Sequence, residues 1–165
     1  MKSVLRKIFF AKSYLYSYPY SSLNLQNDLE RIHEDKYFKR NSILRGKRIS
    51  NDQFLLWEKW NFFRGMHSYD GLSFFSGKIH DTQEKTNIVG TIYPNPIILF
   101  AFYFPIIILC FMLFDLITKK VIEVKLEFYF IIGLFILLSL LSIFYFRKRI
   151  QKSVEQELKL TNESD

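Results

Sequence analysis

Apolar and polar positions are segregated along this chain more sharply than helix or strand periodicity in a soluble domain would produce. Residues 1–93 mix polar, charged and aromatic side chains at short intervals, whereas 97–146 hold most of the long aliphatic runs. From Pro96 to Phe114 ("PIILFAFYFPIIILCFMLF") no residue is charged, and the same is true from Phe128 to Phe146 ("FYFIIGLFILLSLLSIFYF"). Each run has about 19 residues, or roughly 29 Å of helix at ~1.5 Å per residue, close to the ~30 Å hydrocarbon layer of a bilayer. Neither run carries a polar stripe, so neither suits the surface of a soluble bundle. Two buried core helices of this kind would need a much larger protein around them. The pattern predicts a transmembrane hairpin. Its first helix lies at 94–117 and its second at 128–146, with a short extracytoplasmic loop at 118–127.

Ahead of the hairpin the period changes several times. An aromatic opening ("KSYLYSYPY") alternates loosely, and then Leu25, Leu29 and Ile32 recur at helical spacing. A short amphipathic helix is expected over 24–36, with Asn24 or Ser22 as its N-cap. Four strand-like segments follow: "SILRGKRI" (42–49), "QFLLWEKWNFF" (53–63), "LSFFSGKI" (72–79) and "NIVGTIY" (87–93). The polar stretches between them ("SND", "RGMHSYDG", "HDTQEKT") are turn signals. The expected unit at 1–93 is therefore α+β, a helix on a four-stranded antiparallel meander. Beyond the second span, Ile150, Val154 and Leu158 repeat at intervals of four among charged residues. This predicts a basic amphipathic helical extension at 147–165, docked on the sheet or on the membrane interface.

Gly46, Gly77 and Gly90 sit inside predicted strands, where glycine often marks the close approach of a bulky ring. Trp57 and Trp60 are candidate rings. The junction "GTIYPNP" adds two prolines: Pro94 ends the last strand, and Pro96 falls in the first helical turn, where its missing N–H costs little. So short a link predicts a module mounted close to the bilayer. Pro105, deeper in the first span, frees the carbonyl of Ala101 and is expected to kink the helix.

A short helix, F/L-x-G-x-I hairpin strands and a G-T-I strand leading into two spans resemble a loose set of small bacterial two-span membrane proteins with a β-rich cytoplasmic module. The resemblance rests on Leu44, Gly46, Phe54, Phe75, Gly77, Ile79, Thr86, Ile88, Gly90, Thr91 and Ile92, and covers about half the chain. It implies an architecture and carries no activity and no catalytic residues.

Charge orients the hairpin. Beside the spans, the side bearing both termini holds Lys78, Lys85, Arg147, Lys148, Arg149, Lys152 and Lys159, seven cations against three in the connecting loop (Lys119, Lys120, Lys125). The positive-inside rule then places both termini in the cytoplasm, in the cell (inner) membrane. The opening "MKSVLRKIFFAK" is a poor signal peptide, since Lys12 cuts its apolar region short. Arg147, Lys148, Arg149 and Lys152 act as the topological stop and as attraction for anionic headgroups. Residues 1–93 carry fifteen Lys and Arg against nine Asp and Glu. Proximity to an anionic leaflet accounts for that surplus, and the scattered charges give no nucleic-acid motif.

Candidate chemistry is sparse. His67 with Asp70, and His80 with Asp81, are the pairs that a metal or acid–base site would draw on, but no HExxH, paired-carboxylate or Cys/His spacing supports them. The serines lack a nucleophile elbow, and the glycines form no phosphate loop. No enzyme, cofactor or metal is expected. Asp115 is the one ionisable residue at a span, at its end, one turn from Lys119. Gly133, Ser139 and Ser142 offer small surfaces for packing against the first helix or a partner copy. Two functions remain: a membrane-mounted interaction or scaffolding module binding a protein partner or lipid headgroups, or a subunit of an oligomeric channel or transporter using Asp115 and Pro105.

Overall fold

The computed structural model describes residues 10–34, 44–58, 71–81, 86–118 and 126–163. In chain order these form β1 (Lys12–Tyr18), α1 (Ser22–Glu34), β2 (Leu44–Arg48), β3 (Gln53–Glu58), β4 (Ser73–Asp81), β5 (Thr86–Pro94), α2 (Pro96–Ile117), α3 (Leu126–Leu158) and β6 (Thr161–Asn162). The chain divides into two compact units, Met1–Pro94 with Phe146–Asp165, and Asn95–Tyr145.

The first unit is α+β, as expected, but its sheet has six strands instead of four, in the order β2-β3-β4-β5-β1-β6. The meander β2–β5 is present with neighbouring strands antiparallel. The aromatic opening adds β1, which runs antiparallel to β5 with Tyr16 opposite Ile88, and Thr161–Asn162 pairs with Tyr16 and Ser17 on its other edge. The expected strand at 53–63 is β3 as far as Glu58; Trp60 and the rest of that segment lie outside the described residues.

Alternation sets which side chains face inward. Tyr14, Tyr16 and Tyr18, Phe54 and Leu56, Phe75, and Ile88 and Ile92 line one face of the sheet and form one buried cluster. Leu25 and Ile32 of α1 cover it, as do Ile150, Val154 and Leu158 from the last turns of α3 and Leu160 just beyond them. Gly77 and Gly90 are cross-strand partners. The ring of Phe54 lies over the first and that of Phe75 over the second, and a Cβ at either position would come within 3.0 Å of the ring. Phenylalanines, not Trp57, fill these two gaps, while Gly46 makes room for Leu56.

Local chemistry sets the helix ends. At the start of α1 the cap is Ser21, not Ser22 or Asn24: its carbonyl accepts Leu25 N–H at 3.2 Å and its hydroxyl oxygen accepts Asn24 N–H at 3.5 Å. In the second unit Asn95 caps α2, its Oδ1 accepting Ile97 N–H at 2.9 Å, with Pro96 in the first turn where no N–H is needed. The described helix α2 continues through Pro105. α3 ends where Lys159 takes a left-handed φ of 51° and Leu160 N–H reaches back to the Glu155 carbonyl at 3.0 Å, a Schellman closure with Leu160 buried.

α2 and α3 are both long and apolar enough to cross a membrane. Only 11% and 6% of their most apolar windows are buried, and large side chains stand outward along them, including Phe100, Phe111 and Phe130. Within the hairpin Ser139 Oγ lies 3.5 Å from the Ala101 carbonyl, and Ser142 Oγ donates to the Leu138 carbonyl of its own helix at 2.8 Å. A Cβ at Gly133 would meet nothing within 4 Å.

Candidate functional site

The residues that converge most closely on a recognition site lie in the first unit, where α1 and the β2–β3 hairpin part from each other. One side of α1 and the β2–β3 hairpin leave a groove of about 190 Å³ between them, with Gly46 in its lining. Leu29, Phe54, Leu56 and Ile79 make an apolar floor. The rim is polar and comes from α1 (Gln26, Glu30, His33), from Arg48 on β2, and from the turn that ends at Gln53.

Hydrogen bonds fix most of that rim. His33 Nδ1 lies 2.9 Å from the Gly46 carbonyl, so Nδ1 carries the proton and donates. This also covers part of the exposed edge of β2, the outermost strand. The Arg48 guanidinium meets Glu30 at 3.8 Å, donates through Nε to the Ser50 carbonyl at 3.2 Å, and reaches Asn51 Oδ1 at 3.4 Å. In the same turn the Ser50 hydroxyl donates to Asp52 at 2.6 Å, which holds the Asp52 carboxyl below its ordinary range, with Lys78 at 3.8 Å adding to the effect.

A second polar contact joins the sheet to the end of α3. Glu58 is buried on the inner face of β3; its carboxylate accepts Arg149 Nε at 2.8 Å and the Ser153 hydroxyl at 2.6 Å. Of the basic cluster, Arg149 is thus engaged inside its own unit, while Lys148 and Lys152 stay exposed. Arg147 is half-buried. Neither the groove nor the Glu58 contact stands out in the sequence, because each joins residues far apart along the chain.

Neither candidate chemical pair can be followed as a pair, since the Asp81 side chain lies outside the described residues. His67 and Asp70 lie outside the described residues, as does Lys119, the suggested partner of Asp115. His33 is held by Gly46, whereas His80 points away from the core on β4. Among the described residues no group of three or more His, Cys, Asp or Glu could hold a metal ion. Cys110 is exposed on α2. No family model, curated protein or solved structure matches the chain.

Proposed function

We propose that the chain is a two-pass protein of the cell membrane with both termini in the cytoplasm, and that its sheet unit is an interaction or scaffolding module for a protein partner or lipid headgroups. One observation carries the reading: the large apolar side chains of α2 and α3 face outward, with Phe100 65%, Phe111 66% and Phe130 74% exposed. Covering a single such side chain is worth roughly 1.5–3 kcal/mol, so a hairpin of them in water would be very costly, and lipid supplies the cover. The excess of cations flanking the spans supports cytoplasmic termini.

The interaction role draws on charge. Lys47, Lys148 and Lys152 are exposed on the sheet unit and have no acidic partner among the described residues, which suits an anionic protein surface or leaflet. The channel or transporter alternative asks Pro105 to open a polar path, yet the carbonyl it frees already has Ser139 beside it.

Crosslinking in native membranes followed by mass spectrometry tests the proposal. Wild type, Asp115→Asn and Pro105→Leu are expected to yield the same crosslinked partner, and the triple Lys47→Glu, Lys148→Glu, Lys152→Glu variant to lose it. The reverse pattern, with a stable oligomer in detergent, would favour the channel. Release of the chain by alkaline carbonate would remove the membrane reading, and reporters at the termini active only outside the cell would overturn the cytoplasmic orientation.

A further inference from the structure

The groove between α1 and the β2–β3 hairpin selects a ligand by what its walls leave unsatisfied. Its floor is made of Leu29, Phe54, Leu56 and Ile79, and its volume is about 190 Å³. An apolar cavity of about 150 Å³ holds a benzene ring, so this groove has room for one ring or a small fused pair.

Charge at the rim is already matched. Arg48 is occupied by Glu30 at 3.8 Å, by the Ser50 and Asn51 carbonyls at 3.2 and 3.5 Å, and by Asn51 Oδ1 at 3.4 Å. Lys47 also borders the groove, but as the neighbour of inward-facing Gly46 its side chain alternates to the other face of the sheet. A carboxylate or ammonium entering the groove would give up hydration over an apolar floor and find no free counter-charge pointing inward among the described residues that line it. What remains uncommitted is neutral. The side-chain amides of Gln26 and Gln53 line the groove without a hydrogen bond among the described residues, and each presents one acceptor and two donors.

We propose that this groove binds a small uncharged aromatic molecule, a single or fused ring carrying one hydrogen-bonding group, of which indole and phenol are representatives. The ring lies on the partly exposed Leu29 and Ile79, behind which Phe54 and Leu56 are buried, and the polar group meets Gln26 or Gln53. Such a site goes beyond the interaction role: it lies wholly in the sheet unit, and it stands or falls independently of the partner and of the membrane.

The test is calorimetric titration of the full chain in lipid nanodiscs with indole, with empty nanodiscs subtracted for partitioning. The expected result is saturable one-site binding, at least tenfold weaker for indole-3-carboxylate, which is charged at neutral pH. Leu29→Trp fills the floor from the helix side and Ile79→Phe from the sheet side; whichever keeps the wild-type circular dichroism and melting temperature is expected to lose at least tenfold in affinity. Gln26→Ala with Gln53→Ala is expected to erase the preference for indole over naphthalene. Absence of saturable binding to the wild type, equal affinity for the carboxylate, or full affinity in a folded, filled variant would each overturn the proposal. Should both filled variants misfold, photolabelling of the wild type with an azido-indole decides: labels on α1 or β3 support the site, and labels confined elsewhere refute it.

Discussion

Tyr16 and Tyr18 point into the same core from successive inward positions of β1, yet their hydroxyl groups end differently. The Tyr18 hydroxyl donates to Asp28 on α1 at 2.9 Å. The Tyr16 hydroxyl is buried without a partner of good geometry, although the Glu155 carboxylate is near enough to act on it; that carboxylate instead accepts Gln151 Nε2 at 2.9 Å. Burial pushes both phenols well above their usual value, with Asp28 adding to the effect at Tyr18 and Glu155 at Tyr16. For an acid whose folded pKa is raised, the stabilising contribution is complete below the unfolded value, ~10 for tyrosine, and is lost as pH rises past it. The sheet unit should therefore weaken above about pH 10. At neutral pH, Tyr16→Phe removes an unsatisfied buried hydroxyl and should stabilise by about 1 kcal/mol, whereas Tyr18→Phe loses a satisfied one and should cost about as much. The double variant should flatten the alkaline decline. Urea denaturation of the three variants at pH 7 and pH 10.5 measures both effects, and a loss of stability in Tyr16→Phe would mean that Glu155 does accept its proton.

Between elements, the contact of most consequence in the hairpin is a long hydrogen bond. Pro105 has no N–H to give to the Ala101 carbonyl one turn earlier, and Ser139 of α3 faces that carbonyl at 3.5 Å. If lipid surrounds the hairpin, an unmet carbonyl has no water to turn to. Ser139→Ala should then cost roughly 0.6–1.7 kcal/mol in the wild type and close to nothing on a Pro105→Ala background, where the helix supplies its own donor. Steric trapping or denaturation in mixed micelles reads the coupling, and equal costs on both backgrounds would show the contact to be idle. The freed carbonyl was legible in the sequence because a proline's effect is local; its partner was not, because Ser139 lies 38 residues away and read only as a small packing surface. The same division holds elsewhere. The meander and the capped start of α2 follow from alternation and from "PNP". β1 gives a weak strand pattern because three inward tyrosines with polar tips blur the contrast between its faces, and β6 is too short to have a period. The groove needs α1, β2, β3 and β4 together, so no single stretch announces it.

At the scale of the whole chain, α3 serves both units: its residues up to Tyr145 belong to the hairpin, and its turns from Phe146 onward belong to the sheet unit. Ile150, Val154 and Leu158 are at most 1% exposed and Leu160 is 8% exposed. Covering four such side chains is worth together roughly 6–12 kcal/mol, comparable with the entire stability of a typical domain at about 5–15 kcal/mol. Removing the turns after Phe146 would also strip Glu58 of Arg149 and Ser153, leaving a carboxylate on the inner face without its two partners. A chain cut after Phe146 should therefore keep its hairpin but lose its folded sheet: near-ultraviolet circular dichroism should collapse and proteolysis within 1–94 become rapid, while resistance to carbonate extraction persists under the proposed membrane reading. Deletion alone would not separate lost packing from lost charge, so Val154→Ala and Leu158→Ala provide a graded version, each expected to lower stability by about 2–4 kcal/mol with every charge retained. A truncated chain whose sheet unit melted like the full one would show that the end of α3 merely lies against the sheet, and the core would then have to close over the inward tyrosines without it.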